Sequence, residues 1–275
     1  MQSKTMKMAG TDEVPVLMFP NLEETGIVRH GFSTRLGGVS SGDFASMNLD
    51  YKRGDSKELV LENFRRIGAA MGADMKDMVL SDQTHTTNIR RMTEEDRGKG
   101  LTKPLDYHDV DGMITDTPGL MLTALFADCV PLFFVDKVHK AIGLSHSGWR
   151  GTAGRMGEKT VRAMQDCFGS RPQDIIAAIG PSIGQECYEV GEDVAEHFQA
   201  MFSGERLSDV LLDKKNGKYQ LDLWKANYYI LTDAGLLPEH IAVTDLCTAC
   251  HSGLLWSHRK SKGRHGELAA FLQLL

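Results

Sequence analysis

The chain has no excess of basic charge. Its 31 lysines and arginines stand against 37 aspartates and glutamates, a formal net charge of −6. That balance excludes a broad electrostatic footprint for nucleic acid or an anionic membrane and leaves room only for local basic patches. No apolar run approaches the roughly 20 residues of a membrane span. The longest, Leu120–Phe126 followed by Val130–Val135, is interrupted by Asp128. Met1 to Val14 is polar and has no apolar core of a secretory signal. Internal repeats, low-complexity tracts and Pro/Ser-rich linkers are missing. Cysteine is sparse, and its number is odd: Cys129, Cys167, Cys187, Cys247 and Cys250. Irregular spacing in a chain of this length favours reduced thiols in a cytoplasmic compartment over a disulfide framework.

What remains is ordinary globular material. With 275 residues, 41% hydrophobic and 25% charged, the chain can bury a sizeable core as one large domain or two small ones. The simplest division is a flexible tail over residues 1–15 and a single domain over residues 16–275. Strand-length apolar runs cover Ile27–Ser33, Met78–Leu80, Gly112–Thr115, Leu120–Phe126, Leu132–Val135, Ala141–Leu144, Ile175–Ile179, Ile241–Thr244, Leu254–Ser257 and Ala269–Leu274. Asp55-Ser-Lys-Glu58 has the form of a capping box opening a helix that Gly72 ends. Further helices are expected over Thr152–Cys167, Asp193–Phe202 and Trp224–Ala234. Several strands follow one another without a helix between them, so the reading is α+β with mixed sheets.

Three potential metal ligands follow predicted strands. They are His85 in Ser-Asp-Gln-Thr-His, Cys129 in Ala-Asp-Cys-Val-Pro and His146 in Ser-His-Ser-Gly-Trp-Arg. Three protein ligands with one open position is the catalytic zinc arrangement. Their spacing matches no short zinc motif, and by spacing alone a buried thiol with two satisfied histidines is the simpler reading. The same residues suit a Cys/His hydrolase, with Cys129 as nucleophile and His146 or His85 as its base. The readings compete, because a zinc-bound thiolate is a poor nucleophile. Gly148-Trp-Arg-Gly-Thr-Ala-Gly154-Arg155 links a strand to a helix, where amides and Arg150 suit an anion. It lacks the Gly-Lys-Ser/Thr ending of a P-loop, and a plain glycine-rich turn fits it as well. Cys247-Thr-Ala-Cys250-His251 matches the c-type haem string, but covalent haem implies export; ordinary thiols are the simpler reading.

Taken together, these motifs resemble the YfiH/YlmD-type family, also labelled multicopper polyphenol oxidase or laccase-domain proteins. The resemblance runs through His30-Gly-Phe-Ser-Thr-Arg35, Gly37-Gly-Val-Ser40, Ala45-Ser-Met-Asn48-Leu49, Gln83-Thr-His85 and Asp111-Gly112. It continues through Ala127-Asp-Cys-Val-Pro131, His146-Ser-Gly-Trp-Arg-Gly151, Cys247-Thr248, Ser257-His-Arg259 and Gly263-Arg264. It implies one domain of two packed mixed sheets flanked by helices, in α/β/β/α layers like the catalytic domain of a bacterial deamidating toxin. It implies a metal held by His85, Cys129 and His146, zinc foremost and copper as the alternative. The implied activity is phosphorolysis of adenosine, inosine and methylthioadenosine to free base and ribose 1-phosphate, with adenosine deamination alongside. Copper-dependent phenol oxidation is also attributed to the family. The ten histidines show no clustered second set for a multicopper centre. On this reading Arg35, Asn48, Gln83 and Arg150 are the substrate contacts. Asp128 either supports a ligand or acts as general acid/base beside Cys129. The expected partners are a purine nucleoside and phosphate. An amide hydrolase acting on cell-wall precursors is the alternative. The chain departs from the family pattern at Cys250-His251 and in Arg264-His-Gly-Glu-Leu268.

Overall fold

Two sheets face each other across a dry interior. In the computed structural model, which describes residues 3–275, the strands in chain order are β1 (Lys7–Gly10), β2 (Pro15–Met18), β3 (Val28–Ser33), β4 (Met78–Leu80), β5 (Ile89–Arg91), β6 (Gly112–Thr115), β7 (Met121–Phe126), β8 (Val130–Asp136), β9 (Ala141–Ser147), β10 (Ile175–Ile179), β11 (Glu189–Gly191), β12 (Leu211–Asp213), β13 (Lys218–Leu221), β14 (Ile241–Val243) and β15 (Leu268–Leu274). The helices are α1 (Pro20–Glu23), α2 (Lys57–Met71), α3 (Trp149–Ala153), α4 (Met156–Phe168), α5 (Glu192–Met201), α6 (Gly204–Val210), α7 (Leu223–Asp233) and α8 (His258–Ser261). The first sheet runs β1-β2-β3-β15-β7-β4 and the second β14-β10-β8-β9-β6-β5. Both are mixed: β4 pairs with β7, β5 with β6 and β10 with β14 in parallel, the other neighbours antiparallel. A small sheet, β11-β13-β12, sits to one side. No helix among the described residues is long and apolar enough to cross a membrane.

Alternation along each strand sorts the layers. On β15, Leu268, Ala270, Leu272 and Leu274 face the second sheet, while Ala269 and Phe271 face α2. On β8, Phe133 and Val135 face inward, and Leu132 and Phe134 pack under α4 and α7. α2 presents Val60, Phe64 and Ile67 to the first sheet at helical spacing, all fully buried. Each such side chain stabilises the fold by roughly 1.5–3 kcal/mol. The result is the α/β/β/α order implied by the resemblance.

Local expectations fail at four places. The stretch expected as a loose tail contains β1 and the first residue of β2, and its Met6 and Val14 are buried. Lys4 is held as well: its N–H donates to Asp245 at 2.7 Å. Met1 and Gln2 of that stretch lie outside the described residues. The α2 N-cap is Ser56, one residue beyond Asp55. Glu58 accepts from the Ser56 hydroxyl at 2.6 Å, so the reciprocal box does not form. The helix expected over Thr152–Cys167 is broken between α3 and α4 at Gly154 and Arg155, which has φ 58°. A Cβ on Gly154 would lie 2.7 Å from Thr87, so the break lets residue 87 pass close by. Leu254–Ser257 is not a strand; Leu255 and Trp256 drop into the inter-sheet core from a turn.

Candidate metal centre

The candidate centre forms where the chain crosses from one sheet to the other. β4 belongs to the first sheet and β5 to the second, so His85 lies on the segment between them. β7 and β8 are likewise in different sheets, and Ala127-Asp-Cys129 is the crossing. The β8–β9 register pairs Pro131 with His146, which sets His146 beside Cys129. Both crossings need left-handed backbone: His85 has φ 66° and Asp128 has φ 83°. Non-glycine residues adopt that region at a cost that surrounding contacts must offset.

Asp111, immediately before β6, supplies those contacts at His85. Its Oδ1 accepts from the His85 N–H at 3.1 Å and lies 2.8 Å from His146 Nδ1. Its Oδ2 accepts from the N–H groups of Thr84 and Thr86 at 3.0 and 2.9 Å and from the Thr86 hydroxyl at 3.0 Å. One fully buried carboxylate therefore fixes both histidines. Sequence reading quoted Asp111 as part of a motif but assigned it no role. Backbone-anchoring carboxylates leave no spacing signature, although a buried acid just before a strand was the available clue.

The ligand atoms of His85, Cys129 and His146 all lie within 4.8 Å of one another, with Cys129 Sγ 3.9 Å from His85 Nε2. His146 is buried and His85 exposed. Burial alone pushes the Cys129 thiol up, but His146 and His85 overcome it and hold the thiol low, at about 6. Burial also lowers His146, and Cys129 with Asp111 more than reverses that. A thiolate facing two imidazoles, one of which, His146, has its far nitrogen held by the Asp111 carboxylate, is a ready ligand set. Two imidazoles and one thiolate, with a fourth side open to a pocket, fit zinc and also suit copper. Gly148 gives the set room: a Cβ there would meet Cys129 Sγ at 2.8 Å and His85 Cδ2 at 3.3 Å. Gly148→Ala is expected to weaken metal binding about 10-fold with little change in melting temperature. Competition against a chromophoric chelator checks this.

The trio forms the floor of a pocket of about 190 Å³, lined also by Asp50, Lys52, Arg53, Ser81, Gln83 and Glu267. Gln83 is therefore in the pocket, but its amide is largely spent. It donates to the Leu125 carbonyl at 2.7 Å and accepts from the Leu125 N–H at 2.8 Å. Asn48 is buried and does not line the pocket. Its Oδ1 accepts from the Asp50 and Glu267 N–H groups at 3.0 and 2.9 Å, so it positions two pocket residues. Arg35 lies elsewhere, stacked 3.7 Å over Trp256 with its N–H groups on the Ala45 and Ser252 carbonyls. Arg150 is also outside the pocket lining, its guanidinium 4.3 Å over the Trp149 ring. Asp128 accepts one bond at each carboxylate oxygen, from Thr248 Oγ1 at 2.5 Å and the Arg259 N–H at 2.7 Å. It braces two loops and does not line the pocket.

Two groups that sequence reading passed over stand in the pocket wall. Glu267 is buried, and burial pushes its carboxyl up to about 7 against the opposing pull of Arg53, which donates to it at 2.5 Å. Lys52, paired with Asp82 at 2.5 Å, adds a second cation. The altered stretch around Glu267 was the signal available in sequence.

Residues 29–275 match the family described as multi-copper polyphenol oxidoreductase laccase. The chain is 38% identical over 246 residues to "Purine nucleoside phosphorylase YlmD" of Bacillus subtilis (strain 168), covering 88% of this chain and 87% of that protein. The crystal structure of the Bacillus licheniformis hypothetical protein YfiH is similar with a TM-score of 0.88 at 34% identity, covering 94% of this chain and 96% of that one. The structure of YlmD from Geobacillus stearothermophilus is similar with a TM-score of 0.87 at 35% identity and the same coverage. The chain belongs to this laccase-domain, YfiH/YlmD-type family.

Proposed function

We propose that this family member is a purine nucleoside phosphorylase with a zinc ion held by His85, Cys129 and His146. The reaction breaks the C1′–N9 bond, forms a C1′–O bond to phosphate, and places a proton on the departing purine. The observation that carries the reading is one pocket holding the ligand trio, two cations and a carboxyl with a near-neutral pKa. A bound zinc supplies Lewis-acid polarisation of a substrate oxygen. Lys52 and Arg53 hold phosphate, in place of the expected Arg150. Glu267 carries the proton for the leaving base, in place of the expected Asp128. Gln83 keeps the wall at Leu125 rigid and offers its remaining N–H to the substrate. Adenosine, inosine and methylthioadenosine are the proposed nucleosides. Adenosine deamination, which exchanges the C6 amino group for oxygen from water, is the side reaction in the same pocket. Copper is the alternative metal, and the cytoplasm, where the five thiols stay reduced, is the proposed compartment.

The test is release of free base and ribose 1-phosphate from inosine and adenosine, with and without phosphate. Phosphate-dependent release supports the reading, and silence from zinc-loaded protein sinks it. Glu267→Gln is expected to lower kcat about 100-fold. A carboxyl raised to about 7 is protonated below that pH, so wild-type activity falls as pH rises through 7. The variant's pH–rate profile loses that limb.

One arrangement favours a second reading. Cys129, His146 and Asp111 stand in nucleophile–base–carboxylate order. This suits a cysteine-dependent amide hydrolase. Alkylation decides between them: ready labelling of Cys129 in metal-loaded protein favours the hydrolase, and labelling only after chelation favours the metal enzyme.

A further inference from the structure

Cys187, Cys247 and Cys250 take no part in the pocket just described. They come from two segments, the loop leading into β11 and the turn that follows β14. A parallel bridge between Ser182 and Cys247 joins the segments, and the Thr248 N–H donates to the Ser182 carbonyl at 3.0 Å. The three Sγ atoms all lie within 4.8 Å of one another, and Cys187 Sγ is 3.4 Å from Cys250 Sγ. In a tetrahedral zinc–thiolate site with Zn–S of about 2.3 Å, sulfurs sit about 3.8 Å apart. The Cys187–Cys250 separation lies just below that value, and the other two separations stay within 4.8 Å. Cys247 is buried, and its Sγ accepts the Gly184 N–H at 3.2 Å, a bond that orients the sulfur. Gly184 allows this approach, because its Cβ would already stand 3.3 Å from Cys247 Cβ.

We propose that Cys187, Cys247 and Cys250 form a second metal site, binding zinc through three thiolates with water in the fourth position. A disulfide would need only two of these sulfurs. The third thiol converges on the same point, and soft thiolate sets select zinc among hard divalent cations. Three thiols lose their protons as the ion binds, so affinity rises with pH. The site also braces the catalytic floor. Thr248, beside Cys247, donates to the Asp128 carboxylate at 2.5 Å, and the Asp128 carbonyl accepts the Ile183 N–H at 3.0 Å. A metal clamping the two segments therefore steadies the residue preceding Cys129.

The test is metal content of the full chain, stripped and reloaded with zinc alone, for wild type, Cys187→Ser and Cys250→Ser. Both positions are at least partly exposed, so the variants should fold. Each variant is expected to lose one molar equivalent of zinc. In cobalt-substituted protein each should lose most of the sulfur-to-cobalt absorption, because three of the four ligating thiolates belong to this cluster. His85→Ala removes the other equivalent and leaves the cluster's intact, so the two sites are read separately. Equal zinc content in wild type and both cysteine variants would overturn the proposal. So would a Cys187–Cys250 disulfide peptide in zinc-free protein purified from reducing cytosol.

Discussion

Asp111→Asn is expected to strip the pocket of its metal and weaken the fold together. Each carboxylate oxygen accepts from at least two donors: Oδ1 serves the His85 N–H and His146, and Oδ2 serves Thr84 and Thr86. Whichever oxygen becomes an amide nitrogen then faces donors with a donor. Buried groups left unpaired in this way cost on the order of 3 kcal/mol. Loss of the carboxylate behind a ligating histidine lowers metal affinity roughly 10–100-fold. Burial would raise the Asp111 pKa, but His146 and the loop amides outweigh it and hold it near 2, below its usual 3.8. A depressed carboxylate pKa stabilises the fold above the unfolded value and loses that contribution as pH falls. In metal-free wild type, therefore, on the order of 2 kcal/mol disappears between pH 4 and 2. Urea unfolding across that window should show a steeper slope in wild type than in the variant, the difference being the Asp111 contribution. A slope unchanged by the substitution would count against the assignment.

His85→Ala should abolish one equivalent of metal and lower kcat/KM by roughly 1,000-fold, the rate equivalent of about 4 kcal/mol. His85 is exposed, so the cavity cost is small. Its φ of 66° adds a strain that alanine tolerates poorly. His85→Asn is the better companion, because asparagine accepts left-handed backbone while removing the ring nitrogens. If both variants lose metal and turnover while unfolding near the wild-type temperature, the effect belongs to the ligand. Full metal occupancy in either would contradict the trio.

Much of this layout is legible in the residues, and the failures have physical causes. β4, β6 and β10 match their expected ranges because each is a short run closed off by polar residues or, after β10, by Gly180-Pro181. β1 reads as tail because Lys7–Gly10 is largely exposed and its pairing with β2 is invisible to periodicity. Leu254–Ser257 misleads in the opposite direction: its apolar side chains fill the core without extended pairing. The ligand trio is conspicuous through the family motifs that carry it, because its spacing alone matches no short zinc motif. Arg35, Asn48 and Asp128 are equally conspicuous, yet their polar atoms are spent on nearby backbone and side-chain partners. Polar residue types do not reveal which hydrogen bonds are already taken. Glu267 and Asp111 show the converse: their roles arise from partners far away in sequence.

The pairing of β3 with β15 bears on how the chain is made. The Ala269 N–H donates to Ser33 Oγ across 236 positions, and β15 separates β3 from β7 in the first sheet. On the ribosome, β3 and β7 emerge long before the strand that joins them. Until residues 268–274 appear, both hold unpaired apolar edges open to water or to another chain. The second sheet can assemble earlier, since β5, β6, β8, β9, β10 and β14 all precede that strand. A nascent chain should therefore pass through a half-built state with one sheet formed and the other split. Holding that split sheet soluble becomes the task of whatever meets the chain at the exit tunnel.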